Sequence, residues 1–162
     1  MISMKSDHNI RPSVLNRLLD YDTSSHQESV QNHFYNIRQL EAAVIRDIEN
    51  LFNTRKQITP VPELFSEVRK SLFTYGLDDF TSENPKSLPV KHRLRQAVEN
   101  ALKIFEPRLK NVIVRIDNDS THERNLRFRI SAVLMVEPET EPVSFDTYFD
   151  SNRGEYIIQN RP

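Results

Sequence analysis

The stretch VKHRLRQAVENALKIFEPRLKNVIVRI, residues 90–116, decides the fold because a helix pattern changes into a strand pattern within it. Up to Phe105 the apolar residues recur at steps of three and four, which is typical of one buried helix face. Pro107 has no N–H and disfavours helical geometry at Glu106. After it, residues 109–116 are rich in β-branched residues, with Val112, Val114 and Ile116 on one face, which indicates a strand. The sequence therefore predicts a helix, a proline turn and a strand in direct succession.

Glu106 is in an unfavourable position within this turn. The last turn of a helix presents unpaired carbonyl groups and a partial negative charge, so a carboxylate there needs a cation. Arg108 lies two residues further on and can supply it by bridging back, or a partner protein can supply it. A third alternative is a solvated carboxylate beside a turn.

Length and composition limit the classes of protein that fit. A chain of 162 residues holds one domain, or one domain with an arm. Cysteine is absent, which excludes disulfides and thiolate metal sites. No apolar run approaches 18 residues and the first twenty lack an apolar signal core, so we expect neither membrane insertion nor a secretory signal. With 37% hydrophobic and 28% charged residues, the core is lean for this length.

Charge is unevenly distributed along the chain. Residues 86–115 hold eight Lys and Arg against two Glu, and residues 137–155 hold six acids against one Arg. Such opposite patches favour charged protein partners. Nucleic acid is not expected as a partner, because no aromatic residues interleave with the basic ones.

Residues 1–33 are expected to form a flexible arm with a short helical anchor near residues 13–19, and residues 34–162 the folded domain. The fold class is α+β, with three N-terminal helices followed by a mostly antiparallel four-stranded sheet. The helices are expected from Asn36 to about residue 55, over residues 63–75 with an apolar buried face, and up to Phe105. The strands are expected over residues 109–116, 126–136, 143–149 and 155–159, with a turn at residues 137–142.

No catalytic chemistry is indicated by the sequence. With only two glycines there is no phosphate-binding loop, and the histidine spacing matches no zinc site. Asp78 and Asp79 lie in a predicted loop with no apolar pocket to raise a carboxyl pKa. We therefore expect no enzyme, no metal and no cofactor, which leaves a binding or structural subunit.

Three motifs resemble the TssE family of type VI secretion baseplate subunits, which is related to contractile phage-tail wedge proteins. They are RDIENLFNTR at residues 46–55, YGLDDF at residues 75–80 and FEPRL at residues 105–109, in the family's order. The likeness runs from about Arg11 to Ile158. Phe52 stands where leucine is usual, and Asp78 where proline is usual.

The resemblance implies a cytoplasmic structural protein, at the inner face of the bacterial inner membrane. Its partners would be the baseplate subunits TssF, TssG and TssK and the sheath subunits TssB and TssC, whose polymerisation it would help to initiate. Glu106 and Arg108 would be outward-facing interface charges, with Pro107 fixing the turn between them.

The resemblance also implies a sheet edge on which sheath strands can pair. The candidate is the hairpin of the last two strands, and the sequence does not say which of its strands is the edge. If it is the third strand, Val143, Phe145 and Thr147 bind the partner, and proline at position 147 would block sheath initiation.

Two other functions remain open from the sequence. A regulatory adaptor that shares the fold would not co-purify with TssF and TssG. A lysozyme-like glycan hydrolase would need an acid of raised pKa and a second carboxylate in a cleft, and the sequence indicates neither.

Overall fold

A computed structural model describes Val14 and residues 37–80, 83–84, 87–117, 127–136, 139–150 and 153–160. The chain divides into two compact units, Met1–Val44 and Ile45–Pro162. In the first unit the described residues are Val14, which is helical and exposed, and the beginning of helix α1. The predicted flexible arm, residues 1–33 with its helical anchor, otherwise lies outside the described residues.

Two α-helices occupy the described residues, α1 (Ile37–Asn53) and α2 (Leu88–Phe105). α1 carries an apolar stripe that continues through its second half, where Ile48, Leu51 and Phe52 are buried. α2 has Pro89 in its first turn and ends at Phe105, where the sequence predicted the break. Neither helix combines the length and the hydropathy needed to cross a membrane.

The helix predicted over residues 63–75 is wrong. This segment contains two short 3₁₀ helices, Val68–Lys70 and Leu72–Thr74. The apolar residues expected on its buried face are exposed, so no packing offsets the weak geometry of an isolated helix. The part of the chain that the structure describes thus has two α-helices before the sheet instead of three.

The four strands form one antiparallel sheet in the order β1-β2-β3-β4. Their bounds are β1 Leu109–Ile116, β2 Arg127–Val136, β3 Glu139–Asp150 and β4 Glu155–Asn160. The antiparallel four-stranded sheet was predicted correctly. β3 begins earlier than expected, because Val136 already pairs with Glu139. The predicted turn over residues 137–142 is therefore mostly strand.

One face of the sheet is buried in the second unit. Two rows of three residues run across the strands with all their side chains buried: Val114–Ile130–Phe145 and Phe128–Thr147–Ile158. α2 contributes four buried residues to this unit: Leu94, Val98, Ala101 and Leu102. On the other face the side chains are more exposed, as at Ile113 and Met135. The alternation matches a sheet with one packed and one solvated face.

Candidate partner-binding site

The Glu-Pro-Arg turn, Glu106–Pro107–Arg108, is fixed by backbone hydrogen bonds on both sides. Glu106 N donates to Leu102 O at 2.9 Å and so closes the end of α2. Leu109 N donates to Glu106 O at 3.1 Å, and Met135 N donates to Arg108 O at 2.9 Å, which joins the turn to β2. Pro107 is exposed at the tip. The turn is therefore a rigid corner, and Pro107 is its solvent-facing residue.

The Glu106 carboxylate is held inside the fold by Arg108. Glu106 is only 3% exposed. Arg108 Nε donates to Glu106 Oε1 at 2.5 Å, and its Nη2 also contacts Oε2, which makes a bidentate ion pair. Of the two cation sources that the sequence left open, Arg108 bridging back is the one observed.

Arg108 also reaches α1. Its Nη2 donates to Asp47 Oδ2 at 2.6 Å, and Asp47 in turn lies 3.7 Å from Arg46. The hydrogen bond to Glu106, above all, raises the pKa of the Arg108 guanidinium, so the side chain stays charged. We call Asp47, Glu106 and Arg108 the ion cluster.

The ion cluster changes what the two motif charges can do. The expectation of an outward-facing acid does not hold for Glu106, whose carboxylate is enclosed and bound. The Arg108 side chain is 28% exposed and that of Glu106 is 4% exposed, so of the pair it is Arg108 that has side-chain surface open to solvent. Partner binding by these residues stays a prediction. If it is correct, Pro107 and Arg108 are the residues that contact the partner directly.

An exposed apolar loop, which we define as residues 58–73, ends two residues before Tyr75, and Tyr75 lies near the ion cluster. Its outermost side chains are Ile58 at 96%, Leu64 at 86% and Leu72 at 82% exposure, and Phe65, Val68 and Phe73 are also exposed. Tyr75 follows this loop and packs against Phe105, with ring centroids 5.1 Å apart. Burial, and then the charges of Asp47 and Glu106, raises the pKa of Tyr75. The loop therefore leaves the fold beside the ion cluster.

The base of the apolar loop is closed firmly. Leu77 N donates to Thr54 O and Lys56 N donates to Leu77 O, both at 2.9 Å. Gly76, with φ of 111°, is needed there because a Cβ would lie 2.3 Å from Thr54 O. Ion pairs join Arg55 to Asp79 at 3.2 Å and Lys56 to Asp78 at 3.8 Å. A loop whose ends are fixed by hydrogen bonds and whose exposed side chains are apolar is typical of a binding loop.

The three predicted β3 residues do not lie on an edge strand. Thr147 pairs with Phe128 of β2 and Ile158 of β4, and Phe145 likewise has partners on both sides. Of the two strands that the sequence left open, β3 is therefore not the edge, and proline at Thr147 would disrupt the sheet itself. Val143 pairs with β2 and has no partner among the described β4 residues. The side chains of all three are buried.

β4 is an edge strand, and three of its outer backbone groups are hydrogen-bonded by α1. Asn53 Nδ2 donates to Tyr156 O at 3.0 Å, and Tyr156 N donates to Asn53 Oδ1 at 2.7 Å. Ile158 N donates to Glu49 Oε1 at 3.0 Å. Sequence reasoning missed these roles of Glu49 and Asn53, and that of Asp47. The signal available was that all three lie within the RDIENLFNTR motif.

A groove of about 430 Å³ lies over the second unit's sheet and is lined by Asp117, Arg127, Phe128, Arg129, Asp146, Thr147, Tyr148 and Gln159. Its carboxylate Asp146 is engaged by Arg129, whose Nε lies 2.6 Å from Oδ1. Within the described ranges, no group of three or more His, Asp or Glu side chains could hold a metal ion. The arrangement offers binding surfaces, and its ionic groups hold the fold together.

These features define the class of protein as an α+β binding or structural domain with a rigid corner, an exposed loop and a sheet edge. The sequence matches the family described as baseplate wedge protein gp25 over residues 38–139. The chain belongs to this family, which confirms the TssE-like, phage-tail-related family predicted from the motifs.

A solved structure adds support for the fold. A chain of "The baseplate complex from the type VI secretion system" matches with a TM-score of 0.50 and 19% identity, over 74% of this chain and 95% of that one. At this identity the likeness concerns the fold alone. No curated protein sequence matches the chain significantly.

Proposed function

We propose that the chain is a structural baseplate subunit of a type VI secretion system that binds wedge subunits of the TssF and TssG type. The family membership and the shared fold support this proposal. In this role the protein acts in the cytoplasm at the inner face of the inner membrane, next to TssK in the baseplate, and performs no catalysis.

The observation that carries the proposal is the apolar loop. Six large apolar side chains are exposed within sixteen residues, and exposed apolar surface of this kind marks interaction sites. Between residues 58 and 73 two acids and two bases balance, so the loop presents little net charge to a partner. We infer that an apolar face of a wedge subunit covers it.

The loop and the Glu-Pro-Arg turn form one continuous contact surface in this proposal. Tyr75 connects them, because it follows the loop and packs on Phe105, the residue before Glu106. The open part of Arg108 then supplies a polar rim beside the apolar centre, which the exposed Pro107 adjoins, the usual anatomy of a protein interface.

The second half of the proposed function is sheath initiation. An exposed strand edge pairs readily with a strand of another chain. The edge strand β4, with the adjacent Val143 end of β3, is the site at which we propose that a TssB or TssC strand adds.

Co-purification from cells tests the proposal. The double variant Leu64→Ser, Leu72→Ser is expected to reduce capture of TssF and TssG at least tenfold, while its far-ultraviolet circular dichroism stays unchanged because both side chains are exposed. Ile113→Ser with Met135→Ser is the matched control, since these exposed apolar residues lie on the sheet. Unchanged capture by the loop variant, or equal loss in the control, would contradict the loop as the wedge-binding surface.

A further inference from the structure

Asn53 satisfies the edge of β4 in the same way as a neighbouring strand would. Its carboxamide donates to Tyr156 O and accepts from Tyr156 N, and these are the two bonds that a paired residue exchanges across an antiparallel ladder. A carboxamide carries the same donor and acceptor as a peptide group. One side chain therefore replaces one residue of a fifth strand.

Glu49, one helical turn earlier, also takes the place of a neighbouring strand, because it accepts a hydrogen bond from Ile158 N. Four helix residues rise about 6 Å, and two strand residues rise about 6.6 Å, so positions 49 and 53 match positions 158 and 156. We call Glu49 and Asn53 the edge guards. While they are in place, a partner strand has no free Tyr156 groups and no free Ile158 N–H with which to pair.

The opposite edge of the sheet, β1, is less regular than β4. The two edges share one feature, because a helix carboxylate also binds an outer N–H of β1: Val114 N donates to Glu99 Oε1 of α2 at 3.1 Å. In addition, the β1 register shifts between Lys110 and Ile113, and Asn111 has φ of 53°. A bulge of this kind twists an edge away from regular pairing. β4 pairs regularly along its length, so it is the edge suited to strand addition.

The edge guards are attached to the Glu-Pro-Arg turn. Asp47 precedes Glu49 by two residues on α1 and accepts from Arg108 Nη2 at 2.6 Å. Arg108 is held in turn by the buried Glu106. The segment of α1 from Asp47 to Asn53 is thus bound at one end to the turn and at the other to β4. A change at Arg108 therefore acts on the segment that closes the edge.

We propose that α1 keeps the β4 edge closed in the free subunit, and that a partner carboxylate which draws Arg108 away from Asp47 releases the edge guards. The opened edge then accepts an extended strand of a second protein, which in the proposed function is a sheath subunit. This inference rests on the proposed function for the identity of both partners. It adds the device that closes the edge, namely Glu49 and Asn53 of α1, and the contact through which Arg108 acts on it.

Hydrogen exchange on the isolated full-length protein tests the guard without any partner. Asn53→Ala is expected to speed exchange of the Tyr156 amide about tenfold, and Glu49→Ala that of the Ile158 amide, because each amide loses its acceptor. Asp47→Asn is expected to speed exchange at both amides by a smaller factor. Glu99→Ala is the matched control on the other edge and is expected to affect Val114 and leave Tyr156 and Ile158 unchanged. If the Tyr156 and Ile158 amides exchange at the native rate in all variants, the edge guards do not close the β4 edge and the inference is overturned.

Binding of purified TssB–TssC from the same genome tests the consequence. The Glu49→Ala, Asn53→Ala double variant is expected to bind about tenfold more tightly than the native protein in the absence of wedge subunits, with no gain for Glu99→Ala. A gain for Glu99→Ala alone would assign strand addition to β1 and overturn the inference. If native protein captures TssF and TssG while the guard variants gain nothing, the inference fails and the proposed function stands. If the amide results hold but wedge and sheath proteins never bind, the proposed function fails.

Discussion

Arg108 and Asp47 lie 61 positions apart in the sequence, and their side chains are joined at 2.6 Å. This bond connects the corner after α2 to the middle of α1, and Glu106 completes the cluster from the buried side. The three residues make the motif a structural junction as well as a candidate contact. The first prediction follows from this double role.

Glu106→Ala is expected to lower the free energy of unfolding by about 3 kcal/mol, because removal of one partner leaves Arg108 half-enclosed without its bidentate carboxylate. Urea denaturation measures the change. Glu67→Ala is the control, since its ion pair with Lys70 is exposed and contributes less than about 1 kcal/mol. A loss below about 1 kcal/mol for Glu106→Ala would show that the enclosed pair is dispensable for folding.

The two glycines should differ sharply in their tolerance of a side chain. Gly76→Ala is expected to cost at least about 3 kcal/mol, because the added Cβ would meet Thr54 O at 2.3 Å and the φ of 111° is strained for alanine. Gly154→Ala, with φ of 69° and no atom within 4 Å of the added Cβ, should cost about 1 kcal/mol. Thermal unfolding of both variants measures the contrast. Similar costs at the two positions would refute the close approach at the base of the loop.

Tyr156 makes stability depend on pH in the alkaline range. Burial, and then the charge of Asp79, raises the pKa of Tyr156 to about 12, against 10.0 for the unfolded chain. Below pH 10 both states are protonated and its contribution to stability is complete. Between pH 10 and 12 the unfolded state ionises first, so stability falls by about 2–3 kcal/mol, and above pH 12 it levels off.

Tyr156→Phe is expected to remove this part of the alkaline loss and to preserve the ring contacts with Phe52, Phe128 and Phe149. Urea denaturation of both proteins from pH 9 to 12 measures the difference, while the titration of other groups is common to both. Parallel pH profiles for the two proteins would contradict a raised pKa at Tyr156.

Thr147→Val is expected to stabilise the protein by about 1 kcal/mol. The Thr147 side chain is buried and its Oγ1 has no hydrogen-bond partner among the described residues, so the hydroxyl loses its hydration on folding without compensation from them. Thr140→Val is the control, since Thr140 is an exposed residue of the same strand and the change should stay within about 0.5 kcal/mol. A destabilised Thr147→Val variant would indicate that the hydroxyl has a bound partner in solution.

The features that short stretches of sequence determine, such as helix ends and strands, were predicted correctly from the sequence. Pro107 ended α2 where expected, and the four predicted strands are all present. The helix over residues 63–75 was wrong because Leu64, Val68 and Leu72 recur with the period of a helix, and a period does not reveal whether anything packs against it. Exposure of these residues depends on the rest of the fold.

The candidate site was predicted less completely than the fold, because its roles depend on contacts far apart in sequence. The sequence predicted that Glu106 needs a cation and that Arg108 can supply it. It did not predict that Asp47, on another helix, also binds Arg108. The sequence indicated no role for Glu49 or Asn53. Their bonds to Tyr156 and Ile158 depend on how α1 meets the sheet edge, which no short stretch of sequence encodes.

The closed base of the apolar loop separates partner choice from folding. Thr54, Lys56 and Leu77 join the two ends of the loop by backbone hydrogen bonds, so the residues between them contribute little to the core. In the proposed function, the sequence of the loop can therefore change together with that of its wedge partner while the scaffold stays constant. Replacing the loop by the corresponding loop of another family member should transfer that member's preference for its own wedge subunit.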